Sequence, residues 1–241
     1  MEFKVEIVDK VFKVKSLYEE VYKLCRDYLS GDKEDYYIEL NNEDIEFERE
    51  KDKKEREVEG LEVVEFGDGY LECLALYRKI VDILIDEDVM LFHGSAVEVK
   101  GEVYLFTAKS GTGKSTHVRH YEKLYQGKVI NDDKPLLKFM DDMIYVYGTP
   151  WAGKHHKQIN TKGKLKAVCL LNRGKENKIE KITLGEAYPT LLAQAYRFKE
   201  QEKMMKTLQL IRKFSNIDLY KLYCTVDEKS AIIAYEGMNK Q

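Results

Sequence analysis

The sequence predicts an α/β fold with a smaller N-terminal α+β unit ahead of it. Three observations predict it. Apolar and polar residues alternate from Phe3 to Val14, a strand signal at the start of the chain. A nearly continuous apolar run, "EVYLFTA", marks a strand buried on both faces. That run leads through the glycine-bearing turn "AKSGTGKST" into helical spacing from Lys114, which is the strand–turn–helix order of an α/β unit.

The N-terminal unit is expected over residues 1–88 and the larger domain over 89–241. After the first strands, Leu17 to Tyr28 has the spacing of an amphipathic helix, and Tyr36 to Leu40 and Leu61 to Phe66 read as strands. Between them, "EFEREKDKKEREVEG", dense in both signs of charge, reads as a solvated hairpin tip or loop. A second helix, "YLECLALYRKIVDILID", places Leu71, Leu74, Tyr77, Ile80, Val81 and Leu84 on one face. No residue of this unit carries recognisable chemistry.

From Leu91 the texture changes to short β-rich runs, "LFHGSAVEV" and "EVYLFTA". The helix from Lys114 turns Val118, Tyr121 and Leu124 or Tyr125 inward and ends near Gly127. A short strand "KVIN", the pair Asp132 and Asp133, and a hairpin "LLKFMDDMIYVYG" follow. Strands are expected at Leu165 to Leu171 and around Lys178 to Ile182. Thr183 and Glu186 have the spacing of a capping box ahead of a helix. "MMKTLQLIRKF" reads as a further helix, "LYKLYCTV" as a strand, and a last helix starts near Asp227 or Ser230.

Composition narrows the function classes. The chain has 241 residues, 44% of them apolar, and a net charge of -3, enough for a proper core and without the basic excess that nucleic acid demands. No run approaches the roughly 18 apolar residues of a membrane span, so a cytoplasmic protein with no nucleic-acid or membrane partner is expected. Cys25, Cys73, Cys169 and Cys224 are widely spaced and form no C-x-x-C pair, the pattern of buried reduced thiols.

The turn from Ala108 to Thr116 fits the relaxed phosphate-loop pattern, in which the opening position is glycine or alanine. Ala108, Lys109, Ser110, Gly111, Thr112, Gly113, Lys114, Ser115 and Thr116 are therefore the candidate nucleotide-binding residues. Gly111 and Gly113 let bare backbone N–H groups approach phosphate oxygens. Lys114 reaches the β and γ phosphates and the Ser115 hydroxyl joins a Mg²⁺ shell. Ala108 ends the strand, where an ordinary negative φ suffices.

Asp132 and Asp133 follow a short strand, where an acidic Mg²⁺ partner belongs in such folds. One carboxylate can serve the metal while the other takes a substrate proton. His93 lies on a neighbouring strand, with Gly94 allowing close backbone approach. In "GTPWAGKHH", Pro150 sets a turn, Trp151 could wall a pocket, and Lys154 could meet transferring phosphate. The pair Asp141 and Asp142 sits at a hairpin tip and reads as solvated.

"HGSAV", "AKSGTGKST" and "INDDKP" together resemble the catalytic core of the HPr kinase/phosphorylase superfamily, whose phosphate-loop fold is shared with phosphoenolpyruvate carboxykinase. The resemblance covers about residues 91–134. It implies a P-loop mixed β-sheet of that type, ATP or a related nucleotide with Mg²⁺, and a phosphotransfer site of His93, Lys114, Ser115, Asp132 and Asp133. Lys154 joins the catalytic set, and Ser115 and Asp132 are the implied metal partners. The stretch after the aspartates lacks the glycine- and arginine-containing signature of HPr kinases. The chain thus looks more like the shorter HPr-kinase-like proteins, some of which phosphorylate free serine or serine residues of small modified peptides. The expected activity is a kinase acting on a serine-type hydroxyl of a small molecule or peptide. The alternatives are a carboxykinase-like or phosphorylase reaction on a small acid, and a nucleotide-binding regulator without turnover. Oligomeric state is left open.

Overall fold

The computed structural model describes residues 1–109, 111–153, 155–225 and 227–240, the Glu59 side chain excepted. Ser110 and Lys154, both expected at the site, lie outside the described residues. The chain divides into two compact units, Met1–Ile83 and Leu84–Gln241.

In the first unit, β1 (Glu2–Ile7) and β2 (Lys10–Lys15) form an antiparallel hairpin turning through Val8 and Asp9, both with positive φ. The alternating run from Phe3 to Val14 is thus two strands. Helix α1 (Glu19–Cys25) continues into a 3-10 turn ending at Tyr28, and β3 (Tyr36–Glu39) then pairs in parallel with β2. Val5, Phe12, Val14, Val21 and Ile38 supply buried apolar surface.

Two expectations are corrected here. The charged stretch read as a hairpin tip or loop is a helix, α2 (Asn42–Glu59). Asn41 and Asp44 form a reciprocal capping box, and Gly60 closes the helix in the left-handed region, both strong helix-end devices. Along it, Arg49–Glu46 and Arg56–Asp52 pair one turn apart, each such pair adding about 0.3–0.5 kcal/mol. Ile45 and Glu48 are buried, with Arg78 Nε donating to Glu48 Oε1 at 2.6 Å. Residues 61–66, expected as a strand, pair with nothing regular and leave Leu61, Val63 and Val64 exposed. The predicted helix that follows is present as α3 (Asp68–Leu84).

The second unit is mixed α/β. Its strands are β4 (Val89–Leu91), β5 (Ser95–Val99), β6 (Glu102–Thr107), β7 (Lys128–Asn131), β8 (Leu136–Met140), β9 (Met143–Tyr147), β10 (Lys162–Arg173), β11 (Lys178–Ile182) and β12 (Asp218–Cys224). Its helices are α4 (Lys114–Tyr125), α5 (Leu184–Gln194), α6 (Gln201–Arg212) and α7 (Glu228–Asn239). The apolar run from Leu91 to Val99 is divided at His93 and Gly94: β4 pairs with β8, whereas β5 pairs with β6 and β7.

The long strand β10 joins the parts. Its first residues pair antiparallel with β9, and its remainder lies parallel to both β6 and β12. Helices cover the two faces. One core packs Val118 and Tyr121 of α4 and Ala231, Ala234 and Met238 of α7 against Tyr104, Phe106 and Cys169. The other packs Ala187 and Leu191 of α5 and Leu210 and Ile211 of α6 against Leu105, Val168 and Leu170. Alternate residues of β6 and β10 enter opposite cores, which is why both strands read as continuous apolar runs. The capping box of Thr183 and Glu186 starts α5 as expected. No helix among the described residues is long and apolar enough to cross a membrane.

Candidate functional site

Strands β5 and β6 are antiparallel, as are β5 and β7, so β7 runs parallel to β6, β10 and β12. Four carboxyl ends therefore share one edge of the sheet, the place where open α/β sheets bind ligands. In spatial order that edge presents Asp132 and Asp133 after β7, His93 and Gly94 before β5, the glycine turn after β6, Arg173 ending β10, and Thr225 after β12.

Gly113, with φ of 108°, immediately precedes α4, and Gly111 has φ of 75°. Both are conformations that L side chains rarely adopt, and at neither position does a Cβ meet any described atom within 4 Å. The turn is thus open on its ligand side. No side chain caps α4, so its first N–H groups and the positive end of its dipole remain available to an anion. Ala108 is 2% exposed and packed in the core with no positive φ, as expected of a strand end. Lys109 accepts the Thr112 hydroxyl at its carbonyl, 2.7 Å away, closing the turn.

Lys114 is 9% exposed, and its Nζ donates to the Ala108 carbonyl at 3.3 Å. Burial pushes its pKa below the usual lysine range, against the opposing pull of the Asp133 carboxylate. A buried ammonium with one long hydrogen bond to a neutral carbonyl among the described residues is poorly compensated. An incoming phosphate would complete its environment.

The aspartate pair is held by a residue that sequence reasoning passed over. Asn131 is fully buried; its Oδ1 accepts from the N–H groups of Asp133 and Lys134 at 2.9 and 2.7 Å. Its Nδ2 donates to Thr149 Oγ1 at 3.0 Å and to the Trp151 carbonyl at 3.1 Å. This clamp ties the turn after β7 to the loop after β9. An asparagine ahead of two aspartates is an Asx-turn signal, which was the available clue. Trp151 itself is buried, 5% exposed.

The two carboxylates have different surroundings. Asp132 Oδ1 accepts from Gly153 N at 2.7 Å, while Oδ2 is buried without a hydrogen-bond partner among the described residues. A Cβ on Gly153 would stand 3.2–3.3 Å from Asp133 Cβ and both Asp132 carboxylate oxygens, so this approach favours glycine. Asp133 Oδ1 lies 3.1 Å from His93 Nε2. Burial pushes the Asp133 pKa up, but the His93 hydrogen bond and the charges of Lys134 and Lys114 outweigh it and hold the carboxyl below its ordinary range. His93 is fixed through its backbone: its N–H donates to the Gln194 carbonyl at 2.8 Å, and its carbonyl accepts from Thr107 Oγ1 at 3.0 Å.

Ser115 and Asp132 line one small cleft of about 10 Å³, together with His155 and Lys157. That volume suits a single water or ion. Among the described residues no group of three His, Cys, Asp or Glu side chains could hold a metal. A buried carboxylate oxygen that lines the same cleft as Ser115 nevertheless fits Mg²⁺, which takes one or two protein ligands and fills its shell with phosphate and water. On the other side of the turn lies a cleft of about 620 Å³ that includes Gly111, Gly113 and Thr116 in its lining.

The structure thus brings together His93, Lys114, Ser115, Asp132 and Asp133 with the described residues of the turn. Asp141 and Asp142 sit at the β8–β9 hairpin tip, where Asp142 accepts from Asn216. Sequence reasoning missed Asn131, Gly153 and Arg173, whose Nη2 donates to the Gly111 carbonyl at 2.7 Å.

No family model matches the chain, and no curated protein matches it. Among solved structures it is similar to one described as the Hpr(Ser) kinase/phosphatase from Coxiella burnetii. The identity is 8% and the TM-score 0.35, over 61% of this chain and 95% of that one.

Proposed function

We propose that this chain is a nucleotide-dependent phosphotransferase, with ATP as the donor, that acts on a serine-type hydroxyl of a small molecule or peptide. The observation that carries this reading is the line of groups along one sheet edge: an uncapped helix start with a buried lysine, next to a carboxylate hydrogen-bonded by His93.

In this reading the backbone N–H groups from Lys109 to Thr116 and the Lys114 ammonium hold the β and γ phosphates. Ser115 and Asp132 would be the protein partners of Mg²⁺, which when bound would neutralise phosphate charge. Asp133 accepts the hydroxyl proton as the acceptor oxygen bonds to the γ phosphorus and the bond to the bridging β–γ oxygen breaks, releasing the nucleoside diphosphate. His93 keeps the Asp133 carboxylate oriented. Lys154, assigned from the sequence alone, adds positive charge near the transferred group. Alignment and charge compensation supply most of the rate.

The test is a mass-spectrometric acceptor screen, with Mg²⁺ and ATP, over free amino acids and serine-containing peptides. The wild-type chain should add one phosphoryl group to a hydroxyl acceptor, and Lys114→Ala should lose nucleotide binding and transfer together. Intact binding and transfer in Lys114→Ala would contradict the reading. A phosphorylated carboxylic acid as the product would favour the small-acid reaction instead.

A further inference from the structure

The two clefts beside the glycine turn differ in size and in their ionisable lining. The smaller, about 10 Å³, is lined by Asp132 and Glu122 together with Arg119 and Lys157. The larger, about 620 Å³, has no acidic residue among its described lining residues, which include His120 and Arg173. A cleft of several hundred Å³ is of the size that takes an organic ligand, whereas the smaller takes a water or an ion. The larger lies at the carboxyl ends of β10 and β12, on the opposite side of the turn from the aspartates in the order of the strands.

Its wall is built before any ligand arrives. Gly174 N–H donates to the Cys224 carbonyl at 3.0 Å, tying the ends of β10 and β12. Thr225 N–H donates to Asn177 Oδ1 at 2.9 Å, and Asn177 Nδ2 donates back to Thr225 Oγ1 at 3.0 Å. Arg173 bridges this wall to the turn through Gly111, with other guanidinium donors in reserve. A second, independent feature is His117, 4% exposed, which also lines the cleft. Ser230 Oγ donates to the Asp227 carbonyl at 2.7 Å and therefore accepts from His117 Nδ1 at 3.3 Å. That tautomer leaves Nε2 as an acceptor, buried and without a hydrogen-bond partner among the described residues.

We propose that this cleft holds the base and ribose of the nucleotide whose phosphates the turn binds. The donor then enters over Arg173 and Thr225, and the acceptor hydroxyl approaches from the Asp133 side. This rests on the phosphate-loop reading above and adds the direction in which the nucleotide lies.

Cys224 lines the cleft and is half-buried, its pKa raised by burial. The other three cysteines are buried, so Cys224 is a built-in reporter. Alkylation by iodoacetamide at mildly alkaline pH, followed by mass spectrometry, is measured alone, with ATP, and with inorganic tripolyphosphate, with calorimetry reporting binding. ATP should slow labelling of Cys224 tenfold or more, since at ten times Kd only about a tenth of the sites are free. Tripolyphosphate should bind without slowing it. Cys224→Trp, which fills the cleft, should weaken ATP at least tenfold and leave tripolyphosphate unchanged. ATP binding with no change in Cys224 labelling, or equal protection by tripolyphosphate, would overturn the placement while sparing the phosphate loop. Failure of both ligands to bind would overturn the loop reading and the placement with it.

Discussion

Lys114 shows how a binding residue is held at a cost to stability. Its ammonium is buried against the Ala108 carbonyl and its pKa is lowered, so the charged form is disfavoured by folding. The sign follows: the cost is present below the folded pKa and fades as pH rises toward about 10.4, the unfolded value. Lys114→Met should therefore abolish nucleotide binding while raising the melting temperature of the ligand-free chain by a few degrees, corresponding to about 1 kcal/mol. The gain should shrink between neutral pH and about pH 10, as read by differential scanning calorimetry. Asn131 is the opposite case, a buried amide satisfied at both ends. Asn131→Ala should cost about 2–4 kcal/mol through the groups it leaves unpaired. Transfer should fall as well, because the aspartate turn loses its clamp. Denaturant titration and single-turnover rates measure the two effects.

At the scale of elements, the strand–turn–helix around β6 and α4 was legible because its determinants are local: an apolar run, two glycines and a helical period. Gly113→Ala tests that locality. At φ of 108° an alanine should cost about 1–3 kcal/mol and remove phosphate binding, whereas Ala108→Gly should retain binding, both read by calorimetry. Helix α2 was not legible, because its exposed face carries mixed charge and its burial runs through Ile45 and the Glu48–Arg78 pair rather than an apolar stripe. Its start signal, Asn41 with Asp44, is a capping box written in unusual residues. The site divides in the same way. Residues from Ala108 to Thr116 announce themselves in one short stretch. Asn131, Gly153 and Arg173 act through partners that folding brings near, and no spacing in the chain encodes those contacts.

For the whole molecule, everything placed at the candidate site lies in residues 84–241, one of the two compact units. That unit contains its own nine-stranded sheet and both of its cores. Expressed alone, it should unfold cooperatively in denaturant and bind ATP with the affinity of the full chain. Loss of binding in a folded fragment would assign residues 1–83 a part in the nucleotide site. The central claim concerns chemistry, and Asp133 tests it most directly. Phosphoryl transfer from ATP across the hydroxyl acceptor set should be measured side by side for the wild-type chain and Asp133→Asn, with nucleotide affinity determined in parallel. The account predicts transfer by the wild-type chain, a fall of about 10²–10⁴-fold in Asp133→Asn, and ATP affinity retained. Equal transfer rates in the two proteins, or no transfer by the wild-type chain to any hydroxyl, would contradict it.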